Sequence, residues 1–441
     1  MENELFEKSP IPKAYFTLAL PVVLSMVISL IYNMADTYFV AKTQNTNLVA
    51  AVSLCAPLFT LMVALGDIFG IGGSSVISRL FGQKKDHEAN QVNGFCCLGA
   101  IGCGIIVTIL MLLLKYPLLQ LLGANEQTLP YASQYYTIIA LGSTFIIFQL
   151  SPSNIIRTEG LAKESMFGTI LGSIINIILD PIFIFVLNMS ATGAAIATIL
   201  GYIASDCLFI YLMNRRSKKL DFKIKKYRIS KHEFQQIFSI GIPASTTNLM
   251  ASLATTICNR YLVTFGNDKV AAMGIALKVN MIIMLIMVGF AFGAQPLIGY
   301  NYGANNKKRL KSIIRFDILV EVTFAICTSI VLAIFAPNII HCFMQDSQIV
   351  ETGSTMLRCL IVSSPCLGLI LVFTTLFQSE GKAIPALILS ISRQGIIYIL
   401  VIFILSQIVG YTGIIISQAI SDVLTALLAI LIYMKSTKER P

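Results

Sequence analysis

Long apolar runs separated by short polar stretches organise this chain from end to end. Crossing a hydrocarbon core of about 30 Å takes roughly 20 helical residues, and turn and charge signals mark off twelve runs of that size. They lie near 15–41, 48–78, 91–114, 128–152, 166–187, 191–213, 234–265, 270–299, 313–336, 352–377, 384–407 and 411–434. Membrane strands would alternate over about ten residues, whereas these runs are longer and continuously apolar. Helices satisfy their own backbone hydrogen bonds in lipid, so the pattern predicts an all-α polytopic membrane protein with twelve transmembrane helices.

Composition removes the main alternative. Of 441 residues 56% are hydrophobic and only 12% charged, against about a quarter charged in soluble domains, and the mean hydropathy is +0.79. With no polar stretch long enough to fold alone, a membrane-anchored soluble enzyme is excluded. The net charge of +10 would suit nucleic acid only if it formed a solvated basic face. Of 32 Lys and Arg, 25 lie in the N-terminus, the even-numbered connections and the C-terminus, counting Arg315 at the mouth of the ninth run. The odd-numbered connections hold Lys42, Lys115 and Lys269. Positive residues stay inside, so both termini are expected in the cytoplasm, and the charge reports orientation rather than nucleic acid. The densest cluster, nine basic residues from Arg215 to Lys231, reads as an anchor on anionic lipid.

The first run follows Glu2, Glu4 and Glu7, is too long for a signal peptide and lacks a small-residue cleavage site. The ten cysteines form no CxxC pair and read as small packing residues. His87, His232 and His341 all fall outside the apolar runs, which argues against a buried histidine relay.

At an offset near 221 the chain repeats itself. Leu20-Pro21 returns as Ile242-Pro243, Ala50-Ala51 as Ala271-Ala272, Gly82 as Gly303, Glu159-Gly160 as Glu380-Gly381, and Thr192-Gly193 as Thr412-Gly413. The reading is a duplicated six-helix unit: residues 1–214 and 233–441 as two lobes, joined by the basic linker 215–232. Six is even, so the repeats run parallel about an axis along the membrane normal, with a cleft between them that can open at either end. Gly66/Gly70, Gly168/Gly172 and Gly289/Gly293 are small-xxx-small pairs suited to close helix contacts. Pro21 and Pro181 lie inside runs and should kink them.

Intramembrane carboxylates are costly and therefore mark function. Counting from the helix ends at about 1.5 Å per residue puts Asp36, Asp180 and Thr198 in one layer of the outer leaflet, with Asn176 one turn before Asp180. Two carboxylates, an amide and a hydroxyl suit a hard cation such as Na+. They suit a proton as well, because two carboxylates in low dielectric cannot both stay ionised cheaply. Asp67 and Asp206 are expected near interfacial water, and Asp317 and Glu321, beside Arg315, on a solvated face. Lys278 and Arg393 lie deeper, to pair with Asp422 or to line the cleft. Met281, Met284 and Met287 form a stripe on the eighth helix, read as packing or as an adaptable apolar surface for a substrate.

The segments "LALPVVLSMVISLIYNMADTYFV" (18–40), "GGSSVISRLFGQKK" (72–85), "RTEG" (157–160), "NIILDPIFI" (176–184) and "GAQPLIGYNYGA" (293–304) resemble the multidrug and toxic compound extrusion (MATE) family, in its prokaryotic DinF-like and MepA-like branches. The resemblance implies two six-helix lobes opening alternately, and export of amphipathic, often cationic drugs in exchange for Na+ or H+, with no other cofactor. It implies a monomer in the prokaryotic inner membrane with no nucleic-acid partner. It matches Asp36 to a cation-coupling aspartate, Asn176, Asp180 and Thr198 to its partners, Asn154 to a further asparagine, and Pro21 to the bend of the first helix. A second acid site on helices seven and ten of another branch has no counterpart here. A lipid-linked saccharide flippase and a major-facilitator transporter are the competing readings; the latter's Gly-Asp-Arg-rich loop is missing from "RLFGQKKDHEAN". Neither HExxH, GxSxG nor a P-loop occurs, so no enzyme is expected.

Overall fold

The computed structural model describes residues 2–223 and 227–438, and these are helical without a strand. Lys225, Lys226 and Arg440, part of the basic stretches counted above, lie outside the described residues. Eleven helices are long and apolar enough to cross a membrane. The twelfth crossing is a pair, Ser347–Ile361 and Ser364–Glu380, bent by 42°. In chain order the spans are Ile11–Lys42, Thr46–Gly82, Asp86–Leu113, Leu129–Glu159, Ala162–Val186, Ser190–Arg215, Lys231–Phe265, Asn267–Gly303, Lys307–Phe343, the bent pair, Ala383–Val409 and Tyr411–Thr437. They extend the sequence-predicted runs by a few residues at most ends, because polar terminal turns such as Lys307–Ser312 continue the helix beyond the apolar stretch.

The duplication appears in the backbone. Span four ends in a 3-10 turn closed by Gly160 at φ +93°, and span ten ends at Gly381 at φ +76°. This left-handed conformation is open to glycine without steric cost, which accounts for the repeated Glu-Gly pair. Spans two and eight are both 37 residues long, and a π-helical turn closes span five, at Ile182–Val186, and interrupts span eleven, at Ser392–Ile396.

Spans one to six pack on one another, as do seven to twelve, and the two sets meet mainly through spans one with eight and two with seven and eight, and less through one with nine and two with ten. All the closest approaches lie toward the end that carries both termini. A Cβ on Gly72 would stand 2.3 Å from the Ile237 carbonyl oxygen, one on Gly82 2.1 Å from that of Tyr300, and one on Gly293 2.3 Å from the Ala19 Cα. Of the three glycine pairs, Gly289/Gly293 therefore joins the two halves, while Gly66/Gly70 seats span four and Gly168/Gly172 seats span six. Hydrogen bonds add to this seal. Buried Arg79 donates to the Ser379 carbonyl at 3.0 Å and to Gln236, Ser75 donates to the Gln378 carbonyl, and Tyr15 donates to Asp317 at 2.8 Å.

The short N-terminal helix Glu2–Glu7 wedges into the same junction. Phe6 is buried and stacks on Tyr300 with ring centres 4.9 Å apart. Its carbonyl accepts from Arg309 at 2.7 Å and Asn301 at 3.3 Å, and Glu7 accepts from Tyr300 at 2.7 Å. The basic linker is also fastened down. Lys218 and Lys219 backbone amides donate to Glu159, Asn90 exchanges bonds with Asp221, and Tyr227 lies over Gly94.

Toward the other end, spans one, two and seven expose polar side chains in their membrane-length interiors: Asn33, Thr37, Ser53, Ser252 and Thr255. The close approaches between the halves lie at the terminal end, and these exposed polar groups lie on the far side of it.

Candidate functional site

Span one brings Asp36, span five brings Asn176 and Asp180, and span six brings Thr198 to one place inside the first half. Asn176 and Asp180 are one turn apart and so project the same way. The Asp36 and Asp180 carboxyls face each other within hydrogen-bonding reach. Asp36 is half-buried, while Asp180, Asn176 and Thr198 are buried, Asp180 completely. Asn176 Nδ2 donates to Thr198 Oγ1 at 3.3 Å, and Thr198 Oγ1 donates to the Ala194 carbonyl at 3.0 Å.

Donors do not reach every acceptor here. Asn176 Oδ1 and both Asp180 carboxylate oxygens meet none. Buried acceptors without donors cost about 1 to 3 kcal/mol each, more when charged, and either a cation or a proton removes that cost. Pro181 follows Asp180 and has no N–H to continue the ladder. The π-helical turn Ile182–Val186 begins immediately after it, so the acid sits where span five changes its winding.

Three tyrosines not singled out from the sequence complete the site. The Tyr32 hydroxyl lies in reach of Thr198, and Tyr202 and Tyr135 are near enough to interact with it electrostatically. Tyr32 is one turn before Asp36 and Tyr202 one turn after Thr198, so helical spacing from the acid and the threonine would have found both. Tyr135 comes from span four, which the spacing argument does not reach.

Asn154 is not part of this group. It is on the same span as Tyr135 but 19 residues on, about 28 Å along the helix axis. There its amide donates to the Leu150 carbonyl at 2.7 Å and its Oδ1 accepts from buried Arg157. Pro21 is buried within span one, which continues as helix on both sides of it from Ile11 to Lys42. Lys278 and Met281 are exposed and Met284 is half-buried. Met287 is completely buried and packs near Gly368, so the methionine stripe divides between core and surface.

Arg393 takes the pairing option rather than the cleft. Its Nε stands 2.9 Å from Asp422 Oδ1, and Ser363 donates to Asp422 Oδ2 at 2.8 Å, tying spans ten, eleven and twelve together. The remaining acids correct the sequence reading. Asp67 and Asp206 do not reach interfacial water; both are buried, and Asp67 accepts from Asn248 of the other half at 3.2 Å. Asp317 and Glu321 are not on a solvated face. They are completely buried, because span nine turns them toward spans one, eight and ten and leaves Arg315 outside. Among the described residues, no three His, Cys, Asp or Glu side chains cluster as a metal site.

Comparison with known proteins agrees with this architecture. A profile of the MatE family matches residues 21–182 and again 243–404. The multidrug export protein MepA of Staphylococcus haemolyticus is 33% identical over 97% of this chain and 94% of its own, and MepA of Staphylococcus aureus NCTC 8325 is similar to the same extent. A solved structure described as the outward-facing conformation of a multidrug resistance MATE family transporter of the MOP superfamily superposes with a TM-score of 0.93. It is 26% identical, and the match covers 100% of this chain and 99% of that one.

Proposed function

The chain belongs to the MatE family, and from that premise we propose that it is a multi-pass secondary transporter that exports amphipathic, cationic drugs in exchange for Na+ or H+. The observation that carries the coupling is the Asp36–Asp180 pair, in which half-buried Asp36 faces an Asp180 whose two buried oxygens both lack donors. Asn176, Thr198 and Tyr32 supply further oxygens, enough for a small hard cation, while the carboxyl pair alone suffices for a proton. Either ligand neutralises the site. With the site neutral, span one can move as a unit above Pro21, and drug and ion compete for the open state. Exchange then requires only that each ligand bind the two states of the cleft with different affinity.

The basic residues support termini in the cytoplasm of a prokaryotic cell. On that orientation the cleft opens outward, and the protein works as a monomer in the inner membrane. The MatE match sets aside the major-facilitator reading. A lipid-linked saccharide would call for a cationic cleft, and Arg393 is committed to Asp422, so the drug reading is preferred.

Purified protein in liposomes, given a fluorescent cationic drug and either a sodium or a pH gradient, tests the proposal. One gradient is expected to drive drug movement, and Asp36→Asn and Asp180→Asn are each expected to abolish it at wild-type protein levels. Movement driven by neither gradient, or unchanged in both variants, would overturn it.

A further inference from the structure

A second carboxyl pair lies across the seal, far from Asp36 and Asp180 in the fold. Asp317 and Glu321 are one turn apart on span nine and completely buried. Asp317 Oδ1 accepts from Tyr15 of the opposite half at 2.8 Å, but its Oδ2 and both Glu321 oxygens meet no donor. The surroundings are apolar apart from the Ala291 backbone, which reaches Glu321. Span eight contributes Phe290 and the backbone at Ala291, span ten Gly368, whose hypothetical Cβ would stand 3.3 Å from that of Glu321, and span one Tyr15, which stacks on Phe290. Tyr15 is the titratable group that faces the pair from another span; no basic side chain forms an ion pair with it among the described residues.

From this geometry we infer that Asp317 and Glu321 form a proton-binding site whose occupancy is linked to closure of the terminal-end seal through Tyr15. Two carboxylates and one phenol fall short of the six to eight oxygens that Ca2+ takes and of the octahedron that Mg2+ demands, whereas a proton needs one. In the sealed state the pair has neither water nor a counter-charge, so protons are held. When the halves part, Tyr15 leaves Asp317 and water reaches both acids, which can then ionise. The state that binds protons more tightly is favoured by acid, so low pH stabilises the seal and high pH releases it. This site is separate from the coupling pair, and the inference stands whether or not that pair drives transport.

The test uses full-length protein in lipid vesicles, in an Asp36→Asn/Asp180→Asn background so that the first pair is silent. Infrared difference spectra between acid and alkaline pH are expected to contain a protonated-carboxyl C=O band that disappears in Asp317→Asn/Glu321→Gln. In parallel, spin labels replacing the exposed terminal-end residues Lys163 and Lys308, with the native cysteines removed, report the distance between the halves. That distance is expected to lengthen as pH rises. It should stay short at all pH values in Asp317→Asn/Glu321→Gln and shift toward long in Tyr15→Phe, which keeps the infrared band. A band unaffected by the double substitution, a pH response that survives it, or an unchanged distance in Tyr15→Phe would each overturn the proposal.

Discussion

Asp422 accepts from Arg393, Ser363 and Gln418, so its charge is met on both oxygens, whereas neither oxygen of Asp180 meets a donor. The two aspartates should therefore answer substitution differently. Removing one partner of a buried pair strands the other charge, at a cost of about 3 to 5 kcal/mol. Asp422→Ala is accordingly expected to lower the thermal unfolding midpoint of the detergent-solubilised protein sharply, and the double variant Asp422→Ala/Arg393→Met to recover most of the loss. Asp180→Asn replaces a group with no partner to strand, and is expected to leave that midpoint unchanged or raised while abolishing coupling. An equal destabilisation by Asp180→Asn would make it a structural residue. Asp36, Asn176, Asp180 and Thr198 were legible in the sequence because acids and amides inside apolar runs stand out and helical spacing gives their depth. The environment of Asp317 and Glu321 was not. Arg315 two residues away suggested solvent, and only the packing of span nine against three neighbours decides which face is buried.

At the level of elements, spans one and eight approach so closely at Ala19 and Gly293 that a Cβ there would stand 2.3 Å from backbone. Gly293→Val should push these helices apart and depopulate the sealed state. The expected readout is a longer distance between spin labels at the terminal end, with the Asp36–Asp180 site intact. Pro21→Ala tests the other feature of span one. Restoring an N–H at position 21 completes the ladder to the residue four before it, and the stiffer helix is expected to retain drug binding while slowing transport. Transport at the wild-type rate would remove Pro21 as a hinge. Spans were readable from apolar run length because lipid demands about 20 apolar residues whatever the tertiary context. The break between Ile361 and Ser364 had one signal in the sequence, Pro365, which opens the following helix and cannot donate to the turn before it, but the angle of the bend is set by contacts with span twelve. The π-helical turns escaped, having no signature in hydropathy.

For the molecule as a whole, the duplicated halves meet at one end and part at the other. Thr255 on span seven is exposed, toward the end away from the termini. A Thr255→Cys variant lacking the native cysteines is expected to react with a membrane-impermeant maleimide added on the side opposite the termini, with bound drug slowing the reaction. Labelling from the terminal side alone would contradict a cleft open at the far end. The N-terminal helix adds a constraint of another kind. Phe6 and Glu7 dock on Tyr300, Asn301 and Arg309, about three hundred positions later in the chain. At ~5–20 residues per second, the ribosome needs about 15 to 60 s to make that partner surface after it has made the helix. Phe6 and Glu7 thus wait for the eighth span and the start of the ninth before they can find their place, and their docking records that the second half has begun to meet the first.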